Sequence, residues 1–151
     1  MSDRVTIRDK KVSGGELRLI TVATGSSEFA VIAVQELTSA QEASDPRKPH
    51  IGALKTVKTW QEVVLDGEKH TLTLEGVLED GTTVVLVVHG MSAGFQGSGP
   101  HNAVAILTTL RIGERSFLRD IITRPMPGRR DHDSWRTVYG TEVLMPNGPR
   151  G

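Results

Sequence analysis

Histidine has the widest chemical reach of any side chain in this sequence. Its five copies, His50, His70, His89, His101 and His132, are therefore the first candidates for chemistry. Imidazole titrates near neutrality, relays protons and binds metals. A zinc site carried by one helix wants two histidines at short helical spacing, and no such pair occurs. Two of the five nevertheless occupy suggestive positions. His89 closes an apolar run and His101 follows a proline, so the loop between them would let both face one space. Asp131-His132-Asp133 offers carboxylates from a distant segment. His89, His101 and Asp131 or Asp133 would together form an acid–base or metal site. The plainer reading makes His89 a core-edge residue and Asp-His-Asp a hydrated loop. That reading is preferred, so no catalytic residue, metal or cofactor is assigned. Ser98 lies three residues before His101, but Gln96-Gly97-Ser98-Gly99-Pro100 is not the Gly-x-Ser-x-Gly of a nucleophile elbow. As a helix cap, that serine oxygen would also be occupied by backbone amides.

A second chemistry belongs to the backbone. Residues 94–102 read GFQGSGPHN, between an apolar run and a helix-like segment. Glycines let amide groups crowd round an anion, and a helix start adds its orphan N–H groups and positive dipole end. The candidate ligand-binding residues are Gly94, Phe95, Gln96, Gly97, Ser98, Gly99, His101, Asn102 and Arg111. Arg111, Arg115 and Arg119 recur every four residues, with Gly113 interrupting the face they would share. The loop matches neither the phosphate-loop nor the dinucleotide pattern. Its structural alternative is a glycine turn that lets a helix pack tightly on a sheet.

The stretch GFQGSGPHNAVAIL also resembles the Gly-aromatic-x-Gly-Ser-Gly-Pro strand–loop–helix element of small uncharacterised bacterial and phage domains. Those domains usually carry tyrosine followed by two glycines, where this chain has Phe95, Gln96 and Gly97. The likeness spans about 20 of the 151 residues and implies a microbial or phage setting, with no chemistry attached.

The elements that must position these groups follow from periodicity. Val84 to Val88 is an unbroken aliphatic run, expected to be a strand covered on both faces. Ser98 suits an N-cap and Pro100 the first helical turn. Val104, Leu107 and Thr108, extended by Ala103, Ile106 and Leu110, give an apolar stripe, so a helix is expected over about 100–111. A second helix is expected over about 114–123, burying Phe117, Leu118, Ile121 and Ile122. Asp66-Gly67 and Glu79-Asp80-Gly81 mark turns, so 56–89 is expected to be a three-stranded antiparallel meander. Upstream, Val5–Ile7 is a short strand candidate and Gly14-Gly15 a turn. Residues 16–24 and the run FAVIAV at 29–34 read as two strands of a hairpin. Residues 38–50 and 124–135 read as polar surface loops, and 137–145 as a last strand at a sheet edge. Trp60, Trp135 and Tyr139 are expected to pack rather than recognise.

Composition narrows the class. The length suits one domain, expected over 1–145 with a flexible tail at 146–151. Lys+Arg and Asp+Glu are 18 each, so no basic field exists for general nucleic-acid binding. The charge is uneven: residues 1–89 carry 10 − 13 = −3, and residues 90–151 carry 8 − 5 = +3, all eight of the latter cations being arginine. Cysteine is absent, which removes disulfides and thiolate chemistry and permits a reducing compartment. The charged opening lacks the apolar core of a signal peptide, and no apolar run approaches the ~20 residues of a membrane span. A cytoplasmic protein with no membrane association is expected. The fold expected is α+β: an antiparallel sheet of five to seven strands with one or two helices on one face. The function expected is a small non-catalytic binding or regulatory protein acting on a protein partner, in a microbial or phage conflict system. The alternative is a domain that binds a nucleotide or other small anionic, phosphorylated ligand at 94–101. A His-dependent enzyme ranks third.

Overall fold

The computed structural model describes residues 5–24, 26–39, 50–66, 70–91, 98–112, 116, 119, 122, 135–138 and 145–146. The chain runs β1 (Val5–Val12), β2 (Gly15–Val22), α1 (Ser27–Leu37), β3 (Val57–Asp66), β4 (Thr71–Leu78), β5 (Thr83–His89), α2 (Ser98–Thr109), β6 (Trp135–Val138) and β7 (Met145–Pro146). The strands form one sheet in the order β1-β2-β5-β4-β3-β6-β7. The class is α+β, as the order of elements implied, and β3-β4-β5 is the antiparallel meander expected over 56–89. The sheet is mixed rather than wholly antiparallel, because β2 and β5 pair in parallel, Leu17↔Thr83 through Val22↔Val88.

The largest correction concerns residues 29–34. They form α1, not a strand. Ser26 caps this helix, its Oγ accepting from the Phe29 amide at 3.3 Å, and Glu28 places an acid in the first turn. Ala30, Ala33, Val34 and Leu37 are its buried residues, at i, i+3, i+4 and i+7. The expected hairpin partner of β2 is instead β1, joined across Ser13-Gly14 by the Val12↔Gly15 pair. Gly14 takes φ 97° there, a left-handed value that glycine adopts without cost.

Strand β5 is less enclosed than its aliphatic run implied. Val84, Leu86 and Val88 are buried, whereas Val85 and Val87 are half-buried on the second face. One cluster of buried side chains joins the inward rows of the sheet to both helices. Ile20, Val22, Leu72, Leu74, Leu86 and Val88 meet Ala33, Leu37, Ala103 and Leu107 in it. Helix α2 buries Pro100, Ala103, Val104, Ile106 and Leu107, the stripe expected of it. In the second expected helix, Ser116, Arg119 and Ile122 are helical and Ile122 joins the core; Phe117, Leu118 and Ile121 lie outside the described residues. Trp60 is half-buried against the core. The single last strand expected over 137–145 is instead two: Thr137 and Val138 end β6, and Met145 opens β7, which pairs antiparallel with β6 and lies at the sheet edge, while 139–144 lie outside the described residues. Pro146, placed in the tail on sequence grounds, belongs to β7.

Candidate functional site

The parallel β2–β5 pair organises the candidate site. Both strands end at the same edge of the sheet, and each leads into a helix. Asn102 Nδ2 donates to Ser27 Oγ at 2.7 Å, so the first turns of α1 and α2 touch. Two helix starts thus meet above the carboxyl ends of two adjacent parallel strands, the place where open α/β sheets hold ligands. Ser98 and His101 are exposed at this corner, while Gly99 and Asn102 are half-buried. Ser98 is the first helical residue rather than the cap, and Pro100 is the third, where its missing N–H is still outside the helical ladder.

Residues Gly94, Phe95, Gln96 and Gly97 lie outside the described residues, as do Asp131, His132 and Asp133. The approach to the loop is described, and it is internally bonded. The His70 carbonyl accepts from the amides of Gly90, at 2.8 Å, and Met91, at 3.1 Å. Met91 is fully buried. The beginning of the glycine-rich segment is therefore fastened to the β3–β4 turn, and its first two amides are not offered to a ligand.

Arg111 does not belong to this corner. It lies just past the end of α2, about 20 Å from the helix start at ~1.5 Å per residue. It adopts φ 61° and closes the helix: its amide donates to Thr108 O at 3.0 Å, and that of Ile112 to Leu107 O at 2.9 Å. This is a Schellman ending with arginine where glycine is usual. His89 and His101 are separated as well. Alternation along β5 turns His89 to the face that carries no helix among the described residues, whereas His101 stands on α2 over the other face. Among the described residues no group of three His, Asp or Glu is placed to hold a metal ion.

Two features escaped the sequence reading. The first is the outer stripe of α1, where Phe29 is 43% and Ile32 45% exposed. A strand over 29–34 would have set these two on opposite faces; the helical period puts both on the water side. The second is His50, only 6% exposed, whose Nε2 lies 2.8 Å from Glu36 Oε1. Backbone amides of Gly52 and Leu54 donate to Glu36 O and Leu37 O, both at 2.8 Å, so residues 50–54 are stitched to the end of α1. Read as the end of a polar surface loop, His50 is instead buried, and this latch fixes where β3 begins.

No protein-family model, characterised protein or solved structure matches this chain. No described helix is long and apolar enough to cross a membrane.

Proposed function

We propose that this chain is a small non-catalytic binding domain that engages a protein partner through the outer face of α1. The observation that carries this reading is the exposed Phe29–Ile32 pair, one helical turn apart. Large apolar side chains held in water at i and i+3 are the anchors that a helix presents to a groove. Glu28, also exposed, borders them. The partner surface is then an apolar groove with a hydrogen-bond donor or cation at its rim. A regulatory or conflict-system role in a microbe or phage fits the resemblance of the 94–107 segment, and a cytoplasmic setting fits a chain without cysteine.

The test is capture with tagged native protein beside the double variant Phe29→Asp/Ile32→Asp, both checked for native circular dichroism. A partner retained by the native protein and lost by the folded variant supports the reading. Identical capture profiles overturn it.

The contact between the two helix starts favours a second reading, a nucleotide or phosphorylated ligand held at 98–102. It requires a rise in melting temperature with inorganic phosphate or a nucleotide. That rise must vanish in Gly99→Val while the unliganded variant stays folded. No rise across a panel of phosphorylated compounds rejects it.

A further inference from the structure

Strand β1 ends the sheet order, so one of its long sides pairs with β2 and the other, among the described residues, pairs with nothing. The turn at Ser13-Gly14 fixes which groups that open side offers. A two-residue hairpin closes on a pair that exchanges both backbone bonds, here Val12↔Gly15. The unbroken register then gives Lys10, Arg8 and Thr6 to bonds with β2 and turns the N–H and C=O of Val5, Ile7, Asp9 and Lys11 outward. Such a row is a template for a further strand. The two faces beside it differ. Val5 and Ile7 lie on the helix-covered side, half-buried and packed against the core. Thr6, Arg8 and Lys10 alternate with them on the other side and are exposed. Asp9 is engaged by Arg18 of β2, whose Nε lies 2.9 Å from its Oδ1. Arg8, Lys10 and Lys11 have no carboxylate partner among the described residues, so the charge this edge presents is positive.

We infer that the open edge of β1 binds an extended segment of a partner protein in which acidic and apolar residues alternate. The segment adds a strand to the sheet, its backbone bonding to Val5, Ile7, Asp9 and Lys11. The alternation follows from the two faces. Acids of the added strand stand beside Arg8 and Lys10, and its apolar residues stand beside Val5 and Ile7, whose burial they extend. Charge also decides against a second copy as occupant. Two identical antiparallel strands are related by a two-fold axis perpendicular to the sheet, so the residue at the centre of the contact faces itself. Residues 8–11 are all charged, and a contact centred on any of them opposes like charges. Centring on Ile7 pairs only residues 5–9 and leaves both lysines outside. A basic strand is repelled in the same way, which is the usual effect of lysine at a sheet edge. An acidic strand complements both the row of backbone groups and the side chains that flank it. The inference goes beyond the proposed function, because it assigns a second surface, a strand edge rather than α1, to a partner of different chemistry.

The probe is an octapeptide alternating glutamate and valine, added to the full chain and followed by fluorescence anisotropy and by amide hydrogen exchange in NMR spectra. It should bind and slow exchange at the amides of Val5, Ile7, Asp9 and Lys11, while those of Thr6, Arg8 and Lys10, already bonded to β2, change little. A peptide with its glutamates in one block, and one with lysine for glutamate, should each bind about tenfold or more weakly. Arg8→Glu/Lys10→Glu should weaken the alternating peptide by a similar factor. Asp9→Pro removes one outward amide and an exposed ion pair but no backbone bond to β2, a change that an edge strand tolerates. With native circular dichroism it too should lose affinity, and the exchange pattern of the native chain decides the matter if it does not fold. Phe29→Asp/Ile32→Asp should bind the peptide as the native chain does, which separates this test from that of α1. No binding of the alternating peptide, or binding that leaves the outward amides unprotected, overturns the inference. So does equal binding of the blocked peptide, or protection of those amides in the unliganded chain that deepens with protein concentration, the mark of a second copy.

Discussion

Gly76 shows how one residue's missing atom shapes its surroundings. It lies in β4 opposite Trp60, next to a register shift in β3. A Cβ built there would stand 2.6 Å from Thr59 O and 2.8 Å from Trp60 Cε3. Neither can yield cheaply, since one is strand backbone and the other a ring packed on the core. Gly76→Ala should therefore lower stability by about 2 kcal/mol, read as an earlier denaturation midpoint with an unchanged slope. Asp80 is the opposite case, a residue whose side chain does local work. Its Oδ1 accepts from the Thr82 amide at 2.9 Å, and this bond, with help from the Thr82 hydroxyl, holds its carboxyl below the usual range. A lowered folded-state value means the contribution is present above the unfolded value of about 3.8 and is lost as pH falls through the folded one. Asp80→Ala should thus melt earlier than the native chain at pH 7, with the difference closing in strong acid.

At the scale of elements, α1 is the instructive one. Its identity rests on Ser26, Glu28 and the spacing of Ala30, Ala33, Val34 and Leu37. Removing the cap by Ser26→Ala leaves the Phe29 amide without its acceptor and should cost about 1 kcal/mol, visible in thermal melting. Hydrogen exchange should show the loss confined first to the opening turn of α1 and its neighbour Asn102, which bonds to Ser27. At its other end α2 is closed by Arg111 in a left-handed conformation, held by the packing of Ile112 on the core.

At the scale of the whole molecule, the described residues form a sheet with helices on one face and none on the other. Leu86, at the middle of β5 and fully buried, belongs to the covered face. Leu86→Ala should destabilise by about 3 kcal/mol, a large share of the roughly 5–15 kcal/mol available to a domain of this kind. The other face explains why four valines and a leucine in a row did not mean a strand enclosed on both sides. Val85 and Val87 point to that side, level with Leu19 and Thr21 of β2, and each is only half-buried.

The sequence by itself determined what depends on neighbours a few residues away. The Glu79-Asp80-Gly81 turn, the β3-β4-β5 meander and the apolar stripe of α2 were legible because turn chemistry and side-chain period are local. The signals of α1 were local as well, the Ser26 cap and a helical period across eleven residues, yet 29–34 read as a strand. A six-residue apolar window cannot tell strand from helix and concealed it. Only the tertiary structure decided the rest. The parallel pairing of β2 with β5 joins segments more than sixty residues apart, and no local pattern encodes which strands become neighbours. That pairing brings Ser27 to Asn102 and carries Arg111 away from the corner. It also turns His89 and His101 apart and assembles Arg8, Leu19, Val85, Glu75 and Glu62 into a single row. Each of these follows from strand order, which long-range burial sets and local spacing does not.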